Sequence, residues 1–201
     1  MLEQRVRRTQ AERRAATTTA LLDATLEELA EVGYASLTTS SVVARAGVTR
    51  GAQAHYFATK VELVIAALRH LTDRLTDEMK STAGTAAVGE RAQYERILDH
   101  VFEVNSGQVS TALLELFVAS RTDQQLAEHL HRFDKEVEQL LGETAAVVGP
   151  DFVKRKDAVS LLVTGIATIR GLWLLRAVTS ERNIRKQWPK AREQLLQGAG
   201  I

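Results

Sequence analysis

Residues 38–60 read TTSSVVARAGVTRGAQAHYFATK, and this stretch decides the fold of the N-terminal part of the chain. Thr38 can cap a first short helix that turns Val42 inward. Gly47 can adopt the left-handed backbone angles that a sharp turn requires. Thr49 can then cap a second short helix. The stretch therefore predicts two helices joined at a glycine, a helix-turn-helix.

The second helix carries side chains that suit a groove of DNA. Its expected outward residues are Arg50, Ala52, Gln53 and His55, while Phe57 faces the core. An α-helix fits the major groove, where such side chains can reach the edges of bases. Helical hairpins centred on glycine also occur on protein surfaces without any ligand. The turn alone therefore leaves DNA binding as one of two interpretations.

Length and composition predict one globular core with a small appended unit. The chain has 201 residues, of which 45% are hydrophobic and 25% are charged, and it has two prolines. It has no cysteine, which excludes disulfides, thiolate metal sites and thiol redox sensing. The first residues, MLEQRVRRTQAERR, contain no apolar stretch of signal-peptide length, and the uncharged run 158–169 is too short for a bilayer. We therefore expect a cytoplasmic protein with no membrane contact.

Positive charge is concentrated at the N-terminus although the net charge is only +1. A cationic arm beside a groove-binding helix is well placed for phosphate or minor-groove contacts. A solvated terminal tail is the alternative interpretation of the same residues. The arm contains Arg5, Arg7, Arg8, Arg13 and Arg14.

Apolar residues recur at helical spacing through almost the whole chain, which predicts an all-α protein of about nine helices. Thr9 and Glu12 form a capping-box pattern that can begin the first helix, and Gly33 can end it. We expect a three-helix N-terminal domain, a connecting helix and a C-terminal helical bundle. Their predicted limits are 1–60, with the helix-turn-helix at about 38–57, then 61–80 and 81–201.

Three segments of the C-terminal part make further predictions. The helix containing TALLELFVAS, residues 111–120, carries one charge and should therefore lie at the centre of the bundle. A single helix is expected from Asp151 to about Val178. Pro189 should break or kink the last helix, because proline removes a backbone donor and clashes with the preceding turn.

The segment VVARAGVTRGAQAHYFATKVEL, residues 42–63, resembles the TetR family of bacterial transcriptional regulators. The resemblance is strong in the N-terminal third of the chain, and the remainder matches in the number and length of its helices. It implies a DNA-binding domain of three helices followed by a ligand-binding and dimerisation domain. The matching residues are Ala46, Gly47, Val48, Thr49, Gly51, Tyr56, Phe57 and Lys60.

The resemblance also implies individual contacts with DNA. Thr39 and Thr49 would bond phosphates through their hydroxyls, and Tyr56 and Lys60 would hold the flanking backbone. Arg50, Ala52 and Gln53 would face base edges, where arginine suits guanine and glutamine suits adenine. Packing of Tyr56 in the core and solvation of Lys60 are the alternatives. The complete predicted DNA-binding set is Thr38, Thr39, Thr49, Arg50, Gly51, Ala52, Gln53, His55, Tyr56 and Lys60.

The chain departs from the family pattern at two positions. Ala54 stands where the family usually has a tyrosine that touches DNA, and Val43 stands where a small alanine usually lets the helices pack closely. The first departure removes one expected contact. We therefore leave Ala54 out of the predicted site and give His55 more weight.

Recognition of DNA by so small a domain implies a homodimer, because one copy reaches only one half-site. The two C-terminal helices are the expected interface, since their small residues Ser160, Thr164, Gly165, Thr168 and Gly171 permit close approach. Packing of these small residues within one subunit is the alternative. The predicted interface comprises Leu161, Thr164, Gly165, Thr168, Leu172, Leu175 and Ile184.

The resemblance implies that a small-molecule effector releases the DNA. Because the central helices carry few charges, we expect an apolar or amphipathic effector. The candidate pocket residues are polar or aromatic groups in apolar helices, and ordinary core or surface positions are the alternative. They are His100, Phe102, Asn105, Phe117, Thr168 and Trp173.

The sequence gives little support for catalysis. His129 and His131 are two residues apart and would lie on different sides of a helix, and no phosphate-binding loop of Walker type is present. We predict no catalytic residue, no metal site and no cofactor. The predicted function is a homodimeric repressor that a small molecule releases from a palindromic operator. A helical small-molecule-binding or protein-adaptor bundle without DNA binding is the alternative.

Overall fold

The computed structural model describes residues 9–81, 89–106 and 108–201, and every regular element in these ranges is a helix. The predicted all-α fold class is confirmed for this part of the chain. Two single turns of 3-10 helix lie at Phe152–Lys154 and Leu175–Ala177. The nine α-helices are α1 (Gln10–Ser36), α2 (Thr39–Ala46), α3 (Arg50–Tyr56), α4 (Lys60–Ser81), α5 (Glu90–Val104), α6 (Gln108–Ser120), α7 (Gln124–Val148), α8 (Ala158–Leu174) and α9 (Glu181–Gly198).

The chain divides into two compact units, residues 1–70 and residues 71–201. The division falls inside α4, so the helix predicted to connect the two domains contributes residues to both units. Residues 82–88, at the start of the predicted C-terminal domain, lie outside the described residues.

The start of α1 forms as the sequence predicts, whereas Gly33 interrupts the helix and does not end it. The Thr9 hydroxyl accepts a hydrogen bond from the Glu12 N–H at 3.2 Å, and the Glu12 carboxylate accepts one from the Thr9 N–H at 2.7 Å. This reciprocal pair is a capping box. Gly33 has φ 73° and ψ 172°, which interrupts the helix before a last turn that reaches Ser36. Only glycine adopts these angles without strain.

A cluster of ion pairs attaches α2 to α1 in the first unit. Arg45 on α2 donates from Nε to Glu28 at 2.8 Å and from Nη1 to Glu31 at 2.9 Å. The Arg45 hydrogen bond and charge lower the pKa of Glu31, and the three carboxylates raise the pKa of Arg45 in turn. The Glu28 side chain is almost buried, and Arg45 places an opposite charge beside it.

Stacked aromatic side chains form the centre of the second unit. Phe102 on α5 stacks on Trp188 of α9 with the ring centroids 4.4 Å apart, and Tyr94 stacks on Phe152 at 4.5 Å. Trp173 of α8 lies beside Phe102 and is also buried. Because α5 packs against α7, α8 and α9, it occupies the central position.

The prediction that α6 is the central helix is wrong. Among its residues 113–120 only Leu116 is buried, and Val118 is 65% exposed. The helix packs mainly against α7 and α8, so it covers one side of the bundle. The helix therefore carries few charges even though several of its apolar side chains remain partly exposed.

The single helix expected between Asp151 and Val178 is instead three pieces, with α8 between the two 3-10 turns. Polar contacts of Arg155 hold the intervening turn: its side chain pairs with Asp157 at 2.9 Å and donates to the Ala199 carbonyl at 2.8 Å. These contacts fix a non-helical connection that apolar spacing cannot reveal.

The last helix, α9, runs through Pro189 without the predicted break. Trp188 and Leu196, on either side of the proline, are both buried, and the Trp188 indole donates to Asp99 at 2.7 Å. Packing on both sides thus compensates for the donor that proline removes.

Residues 158–177 are long and apolar enough, by length and composition, to cross a membrane, and they extend beyond the uncharged run noted in the sequence. In the second unit α8 buries Ala158, Gly165, Ile169 and Trp173, and it packs against α5 and α9. One face of α8 therefore belongs to the core of the bundle, whereas only 28% of this apolar stretch is buried.

Helix α8 lies close to α5 at Gly165. A Cβ atom at this position would lie 2.6 Å from Cδ2 of Leu98, whereas a Cβ on Gly142 of α7 would meet no atom within 4 Å. We predict that Gly165→Ala destabilises the protein by about 1–3 kcal/mol through overpacking. Gly142→Ala should stabilise it by about 0.5–1 kcal/mol, because alanine favours a helix over glycine. Urea unfolding of both variants measures the difference, and equal stabilities would contradict the close approach.

Candidate DNA-binding interface

The helix-turn-helix consists of α2, a turn at Gly47 and α3. Thr38 caps α2 by accepting the Ser41 N–H at 3.1 Å, and Thr49 caps α3 by accepting the Ala52 N–H at 3.2 Å. Gly47 has φ 65° and ψ 29°, in the left-handed region. The caps and the glycine turn are confirmed as predicted.

The outer face of α3 is formed by Arg50, Gly51, Ala54 and His55, all of which are exposed. Arg50 donates from Nη2 to the Ser40 hydroxyl at 3.0 Å, which holds the guanidinium beside the start of α2. Ala52 is only half-buried. This face thus presents one fixed cation and one imidazole on a surface with small neighbours.

Gln53 does not lie on this face, so the prediction that it points outward is wrong. Its side chain is buried, with 8% exposed, and Nε2 donates to the Phe57 carbonyl at 2.7 Å. That carbonyl follows the last turn of α3 and has no partner within the helix. The amide therefore closes the C-terminal end of α3 and is not available to a base.

Tyr56 and Lys60 lie where α3 ends and α4 begins. Tyr56 is half-buried, with the Arg14 guanidinium 5.5 Å from the centre of its ring. Lys60 donates from Nζ to the Tyr34 carbonyl at 2.6 Å and lies 4.2 Å from the centre of the Tyr34 ring. Burial lowers the pKa of Lys60. Lys60 is therefore a fixed side chain that ties the start of α4 to the end of α1.

Threonine hydroxyls line the N-terminal ends of both short helices. Thr38 and Thr49 are exposed and Thr39 is half-buried. Thr49 accepts a backbone N–H, so its own hydroxyl proton stays available to an acceptor such as a phosphate oxygen. The Thr38 hydroxyl already donates to Ser41 at 3.2 Å. Residues 1–8 of the predicted arm lie outside the described residues.

Sequence reasoning left Ala54 out of the predicted site and missed the role of Ser40. Ala54 is one turn from Arg50 on α3, so helical spacing alone could have placed it on the outer face. Ser40 holds Arg50, and no signal in the sequence links these two positions across the turn.

The second unit contains a cavity of about 70 Å³ between α4, α5, α6, α7 and α8. Of the six predicted pocket residues, His100 and Asn105 line it. Phe102 and Trp173 are instead buried in the aromatic core, where stacking fixes them. Phe117 and Thr168 do not line it either: Phe117 lies under the Arg170 guanidinium, and Thr168 donates to the Thr164 carbonyl.

The predicted dimer interface is only partly accessible on α8 and α9. Gly165 and Ile184 are buried inside the second unit, so they cannot meet a second copy. Thr164 and Leu175 are exposed, whereas Leu161, Thr168 and Leu172 are half-buried. Apolar side chains that the prediction omitted are exposed on the same helix and just after it: Val159, Val163, Leu174 and Val178.

Among the described residues no group of three His, Asp or Glu side chains is placed to hold a metal ion. One Glu-x-x-His spacing occurs, from Glu128 to His131 on α7, and both side chains are exposed.

Comparisons with known proteins agree with this architecture. The family described as "Bacterial regulatory proteins, tetR family" matches residues 21–67. The HTH-type transcriptional regulator CymR of Pseudomonas putida is 30% identical over 189 residues, which cover 94% of this chain and 88% of that relative. The HTH-type transcriptional regulator BetI of Escherichia coli is 29% identical over 162 residues, or 80% and 82% of the two chains.

A solved structure of a TetR transcription regulator from Haloarcula marismortui shares the fold. It superposes with a TM-score of 0.70 at 20% identity, covering 92% of this chain and 98% of that chain. The helix-turn-helix, the helical second unit and the extent of similarity to CymR lead to one conclusion: the chain belongs to the TetR family and is a DNA-binding transcriptional regulator.

Proposed function

We propose that the protein is a cytoplasmic, homodimeric repressor that binds a palindromic operator and is released by a small-molecule effector. The observation that carries this proposal is the capped, exposed α3 with Arg50 held at its start. Repression would follow from occupation of the operator and needs no catalytic group.

Direct readout of bases would depend on the outer face of α3. The Arg50 guanidinium can donate two hydrogen bonds to O6 and N7 of guanine, and the methyl group of Ala54 can contact a thymine methyl. His55 can contact a base edge or a phosphate. Gln53 takes no part, because its amide is bonded to the Phe57 carbonyl.

Phosphate contacts would surround this face and fix the register of the protein on DNA. The hydroxyls of Thr39 and Thr49, the backbone at Gly51 and the phenol of Tyr56 are candidate donors. Lys60 has further N–H donors besides the one bonded to Tyr34. The arginine-rich arm would add charge, and its residues 1–8 remain a prediction from sequence.

A second copy would cover the exposed apolar face of α8. This face carries Val159, Val163 and Leu174, and it is continuous with Gly171, where a Cβ atom would lie more than 4 Å from the described residues of the other helices. Small residues permit close approach of two helices, and exposed apolar area favours association. The partner's α8 and α9 would complete a four-helix interface.

Release would depend on α4, since this one helix begins beside α3 and also lines the cavity. Lys60 at its start is bonded to Tyr34, while Thr72, Leu75 and Thr76 form part of the cavity wall. A cavity of about 150 Å³ holds benzene, so a ligand of that size must widen the present cavity of about 70 Å³. Widening would displace α4. The spacing of the two helix-turn-helix motifs of the dimer would then no longer match that of the operator half-sites.

We predict that Arg50→Ala relaxes the preference at one base pair of each half-site by about 1–3 kcal/mol. Gln53→Ala should leave the preferred sequence unchanged and weaken binding to all sequences alike, since the residue supports α3. Selection of fragments from random DNA with each variant measures both effects. If Gln53→Ala changed base preference and Arg50→Ala did not, the roles proposed for these two residues would have to be exchanged. If the wild-type protein preferred no inverted repeat, the non-DNA-binding alternatives would replace the proposal.

The salt dependence of operator binding tests Lys60. If Lys60 contacts a phosphate, Lys60→Met should reduce the slope of log affinity against log salt by about 0.9 for each protomer. Lys190→Met, on an exposed residue of α9, is the matched control and should leave the slope unchanged. A Lys60→Met variant with an unchanged slope and lower stability would show that Lys60 stabilises the fold through Tyr34 and does not contact a phosphate.

Charge introduced on the exposed face of α8 should separate the dimer. Val163 and Leu174 are 47% and 52% exposed, and the control Val147 on α7 is 54% exposed. We expect V163E and L174E to give particles with the 22.1 kDa mass of one chain by light scattering, and V147E to keep twice that mass. A dimer that tolerates both α8 variants would place the interface elsewhere.

A further inference from the structure

We propose that the cavity of the second unit selects a small, neutral, largely apolar ligand that donates one hydrogen bond to Nε2 of His100. Phenols and short alcohols have this chemistry. The inference rests on the effector role proposed above, and it adds the chemical class of the ligand and the residue that recognises it.

His100 presents a hydrogen-bond acceptor that has no partner in the described part of the protein. Its Nε2 atom is buried, and its ring bonds to the Leu75 carbonyl on α4. Because Nε2 makes no bond, the ring faces that carbonyl through Nδ1, which then carries the proton. Nε2 is left with a lone pair that can only accept.

The charges around His100 are consistent with a neutral ring. Burial lowers the pKa of His100, and the charge of Arg96 lowers it further, whereas Glu78 and the Leu75 carbonyl oppose the shift. A neutral imidazole with a buried, unpaired nitrogen lacks the hydrogen bond that water would supply. A ligand O–H would restore that bond.

Three other polar groups of the cavity wall already donate to atoms of the chain. The Thr76 hydroxyl donates to backbone carbonyls of α4, the Asn105 amide donates to the Val101 carbonyl, and Arg170 donates to Asp134 at 3.2 Å. The remaining wall is mainly apolar and includes Phe133 and Ile166. An apolar body with one donor therefore fits this wall better than a molecule with many polar groups.

An anionic ligand fits less well. A carboxylate has no proton to donate, so its lone pairs would face the lone pair of Nε2. The charge of Arg170 is already paired with Asp134, and pairing with a ligand would have to break that contact. A single small ring would also widen the cavity of about 70 Å³ less than a larger solute would.

Titration calorimetry of the full-length protein, without DNA, tests the inference with phenol, toluene and benzoate. Phenol and toluene have nearly the same size and differ by an O–H in place of a methyl group. We expect phenol to bind about tenfold more tightly than toluene, which is the value of one hydrogen bond of ordinary strength. Benzoate should bind more weakly than phenol.

Two further measurements assign the preference to His100. In His100→Phe the ring remains but the acceptor is lost, so phenol and toluene should bind with affinities within about twofold. His131→Phe makes the same change at an exposed histidine of α7 and should keep the preference. In the unsubstituted protein labelled with ¹⁵N-histidine, phenol should shift the Nε2 resonance of His100 and toluene should not, so this test does not depend on the folding of a variant.

Four results would overturn the inference: toluene binding as tightly as phenol, benzoate binding more tightly than phenol, neither phenol nor toluene binding at millimolar concentration, or a folded His100→Phe variant that keeps the preference. Because these titrations contain no DNA, they are separate from the test of operator binding. A protein that prefers phenol but selects no operator would contradict the repressor proposal, while the ligand class proposed for the cavity would be retained.

Discussion

The left-handed turn at Gly47 is the constraint on which the helix-turn-helix of α2 and α3 depends. With φ 65° and ψ 29°, this residue ends α2 and redirects the chain within two residues to the cap of α3. A side chain here would strain the backbone, since residues other than glycine rarely adopt a positive φ. The angle between the two helices is thereby set locally. Arg45 then fixes the pair on α1 through Glu28 and Glu31.

The two units are stabilised by different kinds of contact. The first is small and supplements a modest apolar core with directed polar contacts, such as the Arg45 cluster and the Lys60 bond to Tyr34. The second buries large aromatic side chains around α5 and brings α8 close to it at Gly165. Local hydrogen bonds thus fix the orientation of the helix-turn-helix on α1, whereas the stability of the second unit depends on buried apolar area and close packing.

Sequence reasoning succeeded where a feature is local. The capping box at Thr9, the caps at Thr38 and Thr49 and the left-handed glycine each depend on residues a few positions apart, and all are present. Predictions failed where a residue's environment is set by distant parts of the chain. Gln53 was predicted to face outward, but it is buried within the first unit, where its amide donates to the Phe57 carbonyl.

The same limit explains the errors in the second unit. Low charge predicted a central position for α6, although α5, with more charges, is the helix that its neighbours surround. The tolerance of Pro189 depends on the burial of Trp188 and Leu196 against other helices. Neither fact is visible in spacing along one helix. His100 and Asn105, which line the cavity, were proposed because they are polar residues among apolar ones, which is a local signal.

The Arg45 cluster has an electrostatic consequence beyond attachment of α2. Its single guanidinium meets the carboxylates of Glu27, Glu28 and Glu31, so the group as a whole is anionic. In the proposed complex, repulsion by this anionic group and attraction by Arg50 would favour encounters in which α3 faces the DNA.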